Sequence, residues 1–186
     1  MKTSAALVAL ATFVSSSAAF TINFQNSCGE TVWPAVGKAP NGQPDTSVAF
    51  GESLAPGAST SFGVDDKALG IRAWGRTGCD GNGANCATGA CNGGLVCNDA
   101  GITAGVLYSE FGYGDFGQWG GERTAWDLSR VDATVNLNTK LAASDGQSVY
   151  CSVSNCPPDQ AYDSPEDYAA DRNSDLGLTY TITFCA

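Results

Sequence analysis

The chain has no histidine, and it carries only nine lysines and arginines against nineteen aspartates and glutamates. Without an imidazole, Ser-His-Asp and Cys-His catalytic arrangements are excluded, as are histidine metal sites. A net charge of −10 works against a nucleic-acid partner, because phosphate backbones and anionic membranes repel an acidic protein at long range. No Asn-x-Ser/Thr sequon occurs, so N-linked sugar is not expected. No stretch shows an amphipathic helical period, and therefore no Gly-rich phosphate loop has a helix to open. Past the first nineteen residues nothing is apolar enough to cross a membrane.

What is abundant is cysteine and glycine, eight and 23 residues respectively. Residues 1–19 read as a secretory leader: Lys2 supplies the positive start, Ala5 to Val14 the apolar stretch, and Ser17-Ala18-Ala19 a small-residue cleavage site. The apolar run is shorter than the roughly 20 residues a transmembrane helix needs. Residues 20–186 then form one domain, expected outside the cell or in the cell wall. In an exported chain, eight cysteines imply oxidised cross-links rather than a metal centre, although spacing alone does not choose the pairs.

Period-2 alternation dominates the domain. Ile22 and Phe24 share one face of Thr21–Gln25, and Leu178–Phe184 divides just as cleanly. Ala133–Asn138 alternates too, and further strands are expected at Thr31–Ala35, Ser59–Val64, Ile71–Gly75, Val106–Gly112 and Gln147–Val153. Gly, Pro, Asn and Asp lie between them and make turns. Many short strands argue an all-β sandwich or flattened barrel. Trp74, Trp126 and Tyr113 are expected in the core or in a cleft wall, and Trp33 in the core. Asp159–Asp175, with six acidic residues against Arg172, reads either as a solvated loop or as part of a site.

The order Trp74-Gly75-Arg76-Thr77-Gly78-Cys79, then Cys86-Ala87-Thr88-Gly89-Ala90-Cys91-Asn92-Gly93-Gly94-Leu95-Val96-Cys97, resembles the thaumatin-like protein family. Thr31-Val32-Trp33-Pro34-Ala35 near the start and Tyr180-Thr181-Ile182-Thr183-Phe184-Cys185 at the end extend the resemblance across the domain. There are departures. Ala90 and Asn92 replace the usual Asp and Gly, the Cys79–Cys86 loop is shorter, and the Gly-rich stretch from Gly114 to Arg123 is longer. The resemblance implies a disulfide-stapled thaumatin-like sandwich of the small type, lacking the helical insertion of larger members. It also implies Cys28 with Cys185, Cys79 with Cys86, Cys91 with Cys97 and, for the remaining pair, Cys151 with Cys156.

With histidine absent, the remaining chemistry belongs to carboxylates, and glycosidic-bond cleavage needs two of them. Glu110 sits among aromatics in Tyr108-Ser109-Glu110-Phe111-Gly112-Tyr113. Asp127 and Asp132, five apart, need a bend between them to share a cleft. The family typically builds an acidic cleft from one Arg, one Glu and three Asp. Carried over residue by residue, these fall on Arg72, Glu110, Asp127, Asp132 and Asp167. If hydrolysis occurs, the resemblance implies Glu110 as proton donor and one of Asp127, Asp132 or Asp167 as the group that activates water or attacks the anomeric carbon. Asp127 is taken as that catalytic partner, with Arg72, Asp132 and Asp167 as substrate-binding residues.

The expected function is a secreted, monomeric protein that binds β-1,3-glucan of fungal cell walls, with weak endo-β-1,3-glucanase or antifungal activity within the family's range. No cofactor, metal, nucleic acid or stable membrane insertion is expected. The alternative is a non-catalytic inhibitor or receptor ligand that presents the cleft to a basic partner.

Overall fold

A computed structural model describes residues 19–186; the expected leader, apart from Ala19, lies outside the described residues. Eleven strands form two sheets: β1 (Ala19–Asn26), β2 (Val32–Lys38), β3 (Asp45–Gly51), β4 (Ser59–Asp65), β5 (Ile71–Thr77), β6 (Tyr108–Asp115), β7 (Glu122–Ser129), β8 (Thr139–Ala143), β9 (Ser148–Cys151), β10 (Arg172–Asp175) and β11 (Thr179–Phe184). One sheet has the order β4-β1-β11-β8-β9 and the other β10-β7-β6-β5-β2-β3. Helical structure among the described residues is confined to three short 3-10 turns, at Pro40–Gly42, Gly117–Trp119 and Tyr168–Ala170. The all-β sandwich expected from the alternation is the fold observed.

The strand period decides what goes inside. Phe20, Ile22 and Phe24 of β1 and Tyr180, Ile182 and Phe184 of β11 are fully buried against Ile71, Ala73, Phe111, Trp126 and Leu128 of the facing sheet. Aromatic rings bridge the two layers, with Phe111 5.1 Å and Trp126 5.8 Å from Tyr180 between centroids. β1 and β11 run parallel in register from Thr21↔Thr179 to Asn26↔Phe184, so the first and last described strands lie side by side in one sheet. Cys28–Cys185 closes them just beyond, across a separation of 157 residues. The other bridges, Cys79–Cys86, Cys91–Cys97 and Cys151–Cys156, are local, and all four pairs are those the family resemblance implies.

A second, smaller core lies on the outer face of the six-stranded sheet, where Ala35, Trp74, Cys97, Ala104, Val106 and Tyr108 pack under the loop from 78 to 107. Trp74 donates its indole N–H to the carbonyl of Gly89 at 3.0 Å. Gly101 holds φ +71° and a Cβ there would lie 2.5 Å from the Trp74 ring, so only glycine closes this cover.

The structure corrects four expectations. Ala133–Asn138 is not a strand. Its alternation does place Val135 and Leu137 against the core, but its backbone pairs with the Gly105–Leu107 segment and its Asn136 amide clamps Gly75 and Thr88. Trp33 is only half-buried and lines a groove beside Cys28 and Cys185. Tyr113 is half-exposed on the β6–β7 hairpin, where it hydrogen-bonds Glu122 under Lys67. The acidic segment is a loop only up to Asp171. Its last four residues form β10, recruited onto β7 with Ser174 buried and accepting the Trp126 indole N–H at 2.9 Å.

Candidate functional site

Three adjacent strands set up the site through their alternation. Ile71 and Ala73, Phe111, and Trp126 with Leu128 all point into the core, which turns their neighbours Arg72, Glu110 and Asp127 to the outer face. Register then lines those three up, because Arg72 pairs with Glu110 across β5·β6 and Glu110 with Asp127 across β6·β7. Residues directly opposite in antiparallel strands hold their Cβ atoms about 4.5–5.5 Å apart. Far-separated stretches of chain thus deliver a guanidinium and two carboxyl groups as one row.

The row forms the floor of a cleft of about 450 Å³, which is also lined by Ile102, Gly105, Tyr108, Ser129, Val131, Asp132, Tyr162 and Pro165. Arg72 donates from Nε to Glu110 Oε1 at 3.1 Å, and its guanidinium lies 5.4 Å from the Tyr108 ring centroid. Tyr108 is itself fixed, its phenol donating to the Gly101 carbonyl at 2.7 Å. Burial pushes that phenol's pKa up from its ordinary value.

Asp127 is the unusual member. Its Oδ1 is buried with no hydrogen-bond partner among the described residues. Burial, then the negative charges of Glu110 and Asp171, push its pKa well above the ordinary carboxyl value. Each of these disfavours the ionised form, so Asp127 holds its proton into a pH range where an exposed aspartate has lost it.

The bend required between Asp127 and Asp132 is present. β7 ends at Ser129, and Asp132 sits in the following turn with φ +52°, a left-handed conformation that Asp tolerates better than most residues. Asp132 therefore reaches the same cleft as Arg72, Glu110 and Asp127. Asp167, the fifth expected member, is not among the cleft's lining residues. The loop turns at Ser164, whose carbonyl accepts the Asp167 N–H, and presents Pro165 to the cleft instead.

Two residues that the sequence reading passed over take up that side. Asp171, immediately before β10, is close enough to act on Asp127, and it accepts a hydrogen bond from the Tyr162 hydroxyl. Burial and Asp171 push the Tyr162 phenol's pKa upward. A signal was present in the pairing of Tyr162 with an acidic run, but only β10's register on β7 brings Asp171 beside Asp127.

The thaumatin family model matches residues 26–186. The chain belongs to the thaumatin family. It is 37% identical to pathogenesis-related protein 1A/1B of Hordeum vulgare, with 100% of this chain and 99% of that protein covered. It is 36% identical to the thaumatin-like protein PWIR2 of Triticum aestivum, covering 95% and 94% respectively. Among solved structures, the thaumatin-like xylanase inhibitor TLXI shares the fold, with a TM-score of 0.62 at 24% identity over 89% of this chain and 99% of that one. Family membership places this chain beside pathogenesis-related proteins that match it end to end.

Proposed function

We propose that the protein is secreted and binds β-1,3-glucan of fungal cell walls through the acidic cleft, in keeping with its pathogenesis-related relatives. The observation that carries this reading is the Arg72–Glu110–Asp127 row with Asp132 beside it. A neutral polymer offers hydroxyls that carboxylates accept and a guanidinium donates to, without the repulsion an anionic ligand would meet. Four disulfides suit an oxidising compartment.

Hydrolysis is the further step this row allows, with the roles distributed differently from the family-based expectation. Glu110 is engaged by Arg72, whereas Asp127 is the carboxyl kept protonated by its surroundings. Asp127 then donates its proton to the departing glycosidic oxygen, and the Glu110 carboxylate attacks the anomeric carbon. Water later attacks the same carbon, releasing Glu110 and returning a proton to Asp127. This retaining route requires the two carboxyl groups about 5–5.5 Å apart, and the direct cross-strand pairing of Glu110 with Asp127 makes them neighbours.

The test is sedimentation with insoluble β-1,3-glucan followed by incubation with laminarin. Retention that survives high salt supports glucan binding. Retention lost with salt points instead to ionic attraction and a basic partner. New reducing ends that vanish in both Asp127→Asn and Glu110→Gln support hydrolysis; glucan retention without reducing ends limits the function to binding.

A further inference from the structure

The outer face of the six-stranded sheet continues beyond the cleft as a strip of very small residues. On β6 the residues sharing Glu110's face are Gly112 and Gly114; their partners on β7 are Ala125 and Arg123. At about 3.4 Å per residue, the path from Glu110 to Gly114 is roughly 14 Å long. A Cβ at Gly112 would meet only Leu69, at 4.0 Å, and one at Gly114 would meet the Phe116 ring at 2.9 Å, so Leu69 and Phe116 both lie on this face. Leu69 is 50% exposed, Phe116 43%, and Trp119 at the tip of the same hairpin 87%. Along the opposite side run polar groups. Asn173 pairs with Ala125, and Asp175 binds Arg123 at 2.8 Å.

We propose that this strip is a binding shelf for an extended neutral polysaccharide, carrying the chain out of the cleft over Gly112 and Ala125 to Phe116 and Trp119. The inference rests on the glucan reading of the cleft and extends it to polymer length. Sugar rings have apolar faces that lie against aromatic side chains and hydroxyl edges that need donors and acceptors. The shelf supplies both, in continuity with the cleft. Trp119 is almost wholly exposed and Phe116 lies on Gly114 and Gly120 with one side open to solvent, and the net charge of −10 disfavours an anionic polymer. Gly112 keeps the floor flat, and Gly114 lets the Phe116 ring lie down on the sheet.

Three variants test the shelf. Trp119→Ser and Phe116→Ser remove exposed rings. Gly112→Val fills the floor at a position where the backbone is an ordinary strand and a Cβ has room. Thermal melts should show all three folded. Their binding is measured against β-1,3-glucan, xylan, cellulose and chitin, and against a short laminari-oligosaccharide that fits within the cleft. Each ring removal should weaken polymer binding about three- to tenfold while leaving the short oligosaccharide unchanged. Gly112→Val should abolish retention on polymer. Unchanged glucan binding in all three variants overturns the shelf and leaves the cleft reading standing. Loss of binding to a different polysaccharide that the parent does retain supports the shelf and removes glucan as its occupant. A parent protein that retains none of the four polymers overturns both readings, whereas variants that change self-association and leave polymer binding intact overturn the shelf alone.

Discussion

Arg76 is the residue whose removal most directly tests how this fold holds its large outer loop. It is fully buried on β5 and, among the described residues, forms no ion pair. Its guanidinium instead donates to five main-chain carbonyls: Trp33 at 3.0 Å, Gly83 at 3.1 Å, Gly94 at 2.8 Å, Leu95 at 2.7 Å and, more weakly, Pro34 at 3.5 Å. Burial lowers its pKa to about 10, which still leaves it charged at neutral pH. Three of those carbonyls belong to the disulfide loop, so one side chain ties that loop to the sheet. Hydrogen bonds from a charged donor are worth about 1.5–3 kcal/mol each, and the cation's burial costs several kcal/mol in return. Replacing it by methionine removes both terms and leaves orphaned carbonyls, for a net loss of about 3–5 kcal/mol. At about 2–4 °C per kcal/mol for a domain of this size, the melting temperature should fall by roughly 6–20 °C. Calorimetry on Arg76→Met measures this, and limited proteolysis should show earlier cleavage between residues 80 and 97. Arg76→Lys keeps the charge but not the planar fork and should recover only part of the loss. A variant within 1 kcal/mol of the parent, with an unchanged cleavage pattern, would refute the assignment.

Two further outcomes follow from the same structure. Asp127 has a folded-state pKa raised above its unfolded one, so stability is fully present below the ordinary aspartate range and declines as pH rises through the folded value. Asp127→Asn should therefore melt higher than the parent at pH 7, by about 1.4 kcal/mol for each pH unit by which the carboxyl is raised, with the gap closing near pH 3; equal melting curves at both pH values would contradict this. The Cys28–Cys185 bridge spans 157 residues, and replacing both cysteines by serine should cost about 5 kcal/mol by chain entropy, read as a lower urea midpoint with a steeper slope, because the opened chain unfolds to a more exposed state.

Much of the architecture was legible along the chain because burial leaves a period-2 trace. Phe20-Thr21-Ile22-Asn23-Phe24 and Tyr180-Thr181-Ile182-Thr183-Phe184 could only be half-buried strands, and Trp-Gly-Arg-Thr-Gly-Cys with its following cysteines marked the family. Where the pattern is weak, the reading failed. Arg172-Asn173-Ser174-Asp175 has nothing apolar to announce a strand, and it becomes β10 because the edge of β7 has free hydrogen-bonding groups and Trp126 needs an acceptor. Ala133–Asn138 alternates because the core it touches lies on one side, without a ladder to make it a strand.

The same division applies to the site. Local sequence determined that Arg72, Glu110 and Asp127 would face away from the core, since each is flanked by a side chain that must be buried. Which of them stand side by side depended on register between β5, β6 and β7, a property of the assembled sheet. Tertiary structure also brought Asp171 close enough to act on Asp127 and left Asp127 Oδ1 without a hydrogen-bond partner among the described residues. Alternation needs only nearest neighbours along the chain, whereas proximity, desolvation and mutual repulsion of charges arise only once distant strands have closed around one another.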